Sequence, residues 1–68
     1  MARKVTNADL LKTCYASTHE AADDVTRLDA VAGPLPVELL TALRNRLREA
    51  LAAVQELKTR VKRGMPEN

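Results

Sequence analysis

The sequence predicts an all-α protein: an antiparallel, coiled-coil-like two-helix hairpin that assembles into a four-helix bundle as a homodimer or higher oligomer. Three observations carry that reading. The 68 residues include one Tyr and neither Trp nor Phe, and they are rich in Ala, Leu, Arg, Glu and Lys, a composition that suits paired helices and not a sheet. Two long stretches place apolar residues at alternating spacings of three and four. Between them Gly33, Pro34 and Pro36 interrupt any helix.

The first stretch runs through Leu11, Cys14, Thr18, Ala21, Val25, Leu28 and Ala32 and predicts a helix over 7–32. Thr6 followed three residues later by Asp9 reads as a capping box, and Val5 is set to staple onto Leu10. Gly33 stands where a left-handed cap is wanted and Pro34 forbids continuation, so the turn falls at 33–35. Pro36 suits a first helical turn, where its missing N–H costs little, and Glu38 sits near the positive end of the helix dipole. The second stretch, Leu40, Leu43, Leu47, Ala50, Val54, Leu57 and Val61, predicts a helix over 36–63, ending at Gly64 before Pro66. Short tails complete a single domain over 1–68.

A connection this short makes the helices antiparallel neighbours. Their seams meet when paired residue numbers add to 68: Leu28 with Leu40, Val25 with Leu43, Ala21 with Leu47, Thr18 with Ala50, Cys14 with Val54, Leu11 with Leu57. In that register Asp24 faces Arg46, Val31 faces Leu39 and Tyr15 faces Leu51. Further apolar residues widen the stripes beyond one seam. Leu10, Tyr15, Ala22 and Val31 on the first helix, with Leu39, Leu51 and Ala53 on the second, are the expected oligomer interface. Covering each large side chain contributes about 1.5–3 kcal/mol, and a chain this short has little other core. In length and layout the chain resembles the Rop-type bundle, a dimer of helical hairpins that binds RNA. The layout is also similar to that of small phage hairpin oligomers that sequester nucleotide signals. Both likenesses are architectural and imply regulation by binding.

Charge divides by helix. Residues 7–32 carry five acids against Lys12 and Arg27, whereas 36–63 carry seven bases against Glu38, Glu49 and Glu56, so the balances are minus three and plus four. The opposition favours antiparallel pairing. It also gathers Arg3, Lys4 and Lys12 near Lys58, Arg60, Lys62 and Arg63, a basic pole able to attract phosphate. Tyr15 and His19 are four apart on one helical face, and Tyr15 could stack on a base or ring while Lys12, His19 or a partner's arginine holds phosphate. Lys4, Lys12, Tyr15, His19, Lys58, Arg60 and Lys62 are thus the expected phosphate or nucleotide contacts.

Catalysis has no support. Cys14 reads as a small buried apolar residue, and no phosphate loop, paired carboxylates in a cleft or metal spacing accompanies His19. The sequence predicts no enzyme, cofactor, disulfide, secretory signal or membrane span, and a cytoplasmic location. Its expected role is that of an adaptor or regulator that pairs with itself and binds another macromolecule through its helix faces. The alternatives are a nucleotide-sequestering oligomer and an RNA- or DNA-binding regulator.

Overall fold

A computed structural model describes residues 4–64 as two helices packed side by side, α1 (Asn7–Asp29) and α2 (Val37–Lys62). The start of α1 is fixed locally. The Thr6 hydroxyl accepts from the Asp9 N–H at 3.1 Å and the Asp9 carboxylate accepts from the Thr6 N–H at 3.0 Å, so two otherwise orphaned donors are satisfied reciprocally.

The helix stops three residues earlier than the sequence pattern suggests. Ala30 caps it with a right-handed conformation, and the Val31 N–H turns back to the Leu28 carbonyl at 3.1 Å. Gly33 lies in the following reversal with φ of 103°, not at the helix end. Pro34 and Pro36 disfavour helical conformation at residues 33 and 35, so the reversal takes residues 30–36. Helix α2 opens from Pro36, whose side chain makes no cap bond, with the Leu40 N–H donating to the Pro36 carbonyl at 3.2 Å. It closes at Arg63 and Gly64, the latter with φ of 66°, where a side chain would be strained. The expected Arg3 and Pro66 lie outside the described residues.

The inner seam differs from the expected one by one residue. Cys14, Ala21, Leu28, Leu43, Ala50 and Leu57 are buried or half-buried, as the pattern requires. Their companions, however, are Leu10, Ser17 and Asp24 on α1, Val31 in the reversal, and Leu39, Arg46, Ala53 and Arg60 on α2. Leu11, Thr18, Val25, Leu40, Leu47, Val54 and Val61, assigned to the seam by spacing, are exposed. Each apolar stripe is wide enough that its central column keeps the three-four spacing with the column on either side. The columns that face inward carry the small residues Ser17 and Ala53 and a complementary Asp24–Arg46 pair. Cross-helix hydrogen bonds from Arg46 to Asp24 and Glu20 and from Arg60 Nη1 to Asn7 Oδ1 join residues whose numbers add to 70, 66 and 67, on either side of the expected 68.

The result is a single layer. The fully covered side chains are Ser17, Ala21, Asp24, Ala50 and Ala53, with no large aliphatic among them. The radius of gyration is 15.4 Å against about 11 Å for a compact domain of this length. The molecule measures 49 Å along its length and 15 Å at its thinnest, a little more than one helix diameter.

Candidate interaction face

The inner seam is pinned by one charged cluster. Asp24 is only 2% exposed, and its carboxylate accepts from Arg46 Nε at 2.7 Å. Arg46 Nη1 also donates to Glu20. A carboxylate so far from water needs such a partner. The hydrogen bond to Asp24 raises the Arg46 pKa; the charges of Asp24, Glu20 and Glu49 act in the same direction, and desolvation opposes them. At the other end Arg60 donates to Glu56 (3.0 Å), Asn7 (2.8 Å) and the Val5 carbonyl (2.9 Å). Arg60, expected to meet phosphate, ties the close of α2 to the start of α1 and to the chain just before it.

Outside the seam the hairpin has two unlike broad sides. Each exposed apolar column lies one or five residues beyond the inner one. In an antiparallel pair this offset turns both helices to the same side, because a right-handed helix rotates in opposite senses as it runs up or down. On α1 that side carries Leu11, Tyr15 and Val25, with the smaller Thr18 and Ala22 between them, all exposed. On α2 it carries Val37, Leu40, Leu47, Leu51, Val54 and Val61, of which Leu51 is 56% and Val61 76% exposed. The Thr18 hydroxyl is taken by the Cys14 and Tyr15 carbonyls at 2.8 and 3.1 Å, so Thr18 presents no unsatisfied polar atom there. The opposite side carries Glu20, Asp23 and Arg27 with Asn45, Glu49 and Glu56. Soluble monomers rarely expose a continuous apolar strip of this extent.

This arrangement redistributes the expected oligomer interface. Tyr15, Ala22 and Leu51 lie on the apolar side and are exposed. Leu10, Val31 and Leu39 are half-buried and Ala53 is buried, so these four belong to the hairpin's own seam, where close helix approach covers them. The outer residues were legible only as part of a wide stripe. The signal that could have separated the two columns is the polarity of Ser17, Asp24, Arg46 and Arg60, which mark the column that pairs internally.

Tyr15, 73% exposed, lies parallel to His19 with ring centroids 6.0 Å apart and planes 7° from coplanar, within the range of offset stacking. An open recess of about 450 Å³ is lined by Lys4, Val5, Asp9, Lys12 and Thr13. It brings Lys4 and Lys12 together; Tyr15 and His19 do not line it. Lys58 and Lys62 are exposed on α2. Cys14 is half-buried, and among the described residues no helix is long and apolar enough to cross a membrane. Comparison of the chain with protein-family models, with curated proteins and with solved structures finds no match.

Proposed function

We propose that this protein is a small, non-enzymatic adaptor or regulator that works by self-assembly through its broad apolar side. The observation that supports this most is the inversion between inside and outside. The residues fully buried in the hairpin are alanines, a serine and Asp24, with the seam leucines only half-buried, while Leu47, Leu51, Val54 and their neighbours on the apolar side stand in water. Covering them stabilises by about 1.5–3 kcal/mol for each large side chain, a term the isolated hairpin forgoes. Assembly leaves the polar side and the basic end free to engage a further macromolecule. Sedimentation equilibrium at micromolar concentration tests the reading: the wild-type chain should associate, and Leu47→Glu with Leu51→Glu should not. A folded, stable wild-type monomer would end it.

Nucleotide sequestration is a second reading, supported by the exposed Tyr15 ring and by Lys4 and Lys12 in one recess. Nucleotides at millimolar concentration should then raise the melting temperature, and Tyr15→Ala should abolish the rise without loss of helicity. Nucleic-acid binding has the basic end alone in its favour, and it requires retention on DNA or RNA that weakens steeply with salt.

A further inference from the structure

The two halves of the apolar side are unequal in length. On α2 the exposed strip runs from Val37 to Val61, about 36 Å at 1.5 Å per residue. On α1 it runs only from Leu11 to Val25, about 21 Å. We infer that the strip is covered by a second copy of this chain whose turn lies at the opposite end, so that α2 packs on α2 and α1 on α1, both antiparallel. This rests on the assembly reading above and specifies it.

Two identical faces related by a two-fold axis can meet in two ways. With the turns at the same end, α2 of each copy meets α1 of the other, and the long strip overhangs the short one. Val37 would then lie past the last turn of α1 and Val61 at its N-cap, while Leu51 would fall at the level of the equally large Tyr15. With the turns at opposite ends, long meets long and short meets short. The register follows from the strips themselves. On α2, an axis at the level of Glu49 sets Val37 against Val61 of the second copy and Leu47 against Leu51. On α1, an axis at Thr18 sets Leu11 against Val25 and the large Tyr15 against the small Ala22. These two levels are one level of the hairpin, because 18 and 49 add to 67, within the 66 to 70 spanned by the cross-helix hydrogen bonds. One axis therefore serves both helices, and Leu47 and Leu51 of each copy meet at the centre of the interface, where contacts contribute most.

Charge permits this stacking. Asp9, Glu20 and Asp23 lie on the other broad side of α1, so laying α1 on α1 does not oppose them. Asp29, at the turn end of the strip, falls at the level of Asn7 of the second copy. Arg44 and Lys58 are exposed toward the outer edge of α2, at the levels of Val54 and Leu40 of the second copy. There their methylene stems cover apolar carbon while the charged heads stay in water. With each helix about 10 Å wide, the face covers about 600 Å² per copy, at the lower end of a standard interface of about 1,200–2,000 Å² in total. Because the other broad side is polar, assembly closes at two copies. The stacked α2 helices then bring Arg44, Lys58 and Lys62 of both copies to one long basic edge.

Two measurements on the full chain, both in a Cys14→Ser background, test this. Thr18 lies on the axis, and helix layers about 10 Å apart bring its Cα to about 5 Å from its counterpart, within disulfide range. Thr18→Cys should therefore link the two copies under mild oxidation, whereas Val25→Cys, about 21 Å from its counterpart, should stay unlinked. Spin labels at Leu35→Cys in the turn should lie about 40 Å apart, since each is fourteen residues from the axis. Sedimentation gives the oligomeric state of the same variants. A dimer whose turn labels lie within about 25 Å of each other, as layers about 10 Å apart require for turns at the same end, or one in which Thr18→Cys stays unlinked, overturns this inference and leaves assembly standing. A folded monomer overturns both.

Discussion

The inside of the hairpin and its apolar outside are built from opposite materials. Inside, the fully buried residues are alanines, a serine and Asp24 held by Arg46, which let two helices approach closely, and the seam leucines around them are only half-buried. Outside, leucines and valines form a strip that meets no other part of the described chain. The inner seam is thus suited to choosing a partner and a level, and the outer strip to supplying free energy. A chain of this size rarely closes a sufficient core alone, and under the proposed assembly this division of labour would place much of that core between molecules.

The comparison breaks most visibly on the outside. Replacing Leu51 with Glu should raise the dimer dissociation constant by about a hundredfold or more, because a charge would be desolvated at the centre of the strip. Sedimentation reads this directly. The same change leaves the inner seam untouched, so helicity at high protein concentration should persist.

Inside, the expected effect is smaller and asymmetric. Arg46→Ala strands a carboxylate that is 2% exposed, whereas Asp24→Ala leaves an arginine that still reaches Glu20 and water. Thermal unfolding should therefore fall further for the arginine variant; equal losses would mean that the pair is worth only its mutual attraction. The raised pKa of Arg46 means that its contribution is present at lower pH and lost only as pH rises through that value in strong alkali. Melting between about pH 7 and 9 should not change on its account.

Filling the close contact is the next test. Ala53, 4% exposed, has no room for three more heavy atoms, and Ala53→Leu should cost about 1–3 kcal/mol by overpacking, measured by denaturant titration. Ala22→Leu on the outside should leave hairpin stability within about 0.5 kcal/mol and act on dimer affinity instead. Smallest is the cap: Thr6→Ala should cost about 1 kcal/mol, visible as fraying of the first turn of α1 in amide exchange.

What was legible in the sequence follows from the range of each interaction. The Thr6–Asp9 cap, the ends of α2 to within a residue and the antiparallel hairpin are local or depend on a short connection, and they could be read directly. The identity of the inner column could not be read from spacing. Leu10 and Leu11, Ser17 and Thr18, Asp24 and Val25 are adjacent residues that satisfy the same three-four pattern. Only the opposing helix decides between them. Apolar content favoured Leu11, Thr18 and Val25, but helix approach and the Asp24–Arg46 pair favoured the others. The tie made by Arg60 was hidden for a related reason, since a terminal cation looks free until Asn7 and the Val5 carbonyl are brought to it from the far end of the chain.

The Asp24–Arg46 pair also bears on how many structures the chain can adopt. The apolar positions of the seam oppose sliding only weakly, since a heptad step exchanges Ala50 for Leu43 or Leu57, one apolar side chain for another. A single charged tooth changes that, because any slipped alignment seats a carboxylate against aliphatic carbon. Replacing both partners with apolar residues, as in Asp24→Leu with Arg46→Met, should preserve or raise the melting temperature while multiplying the amide resonances of α1 as alternative alignments become populated. The pair would then serve less as a brace than as an indexing pin, trading strength for uniqueness.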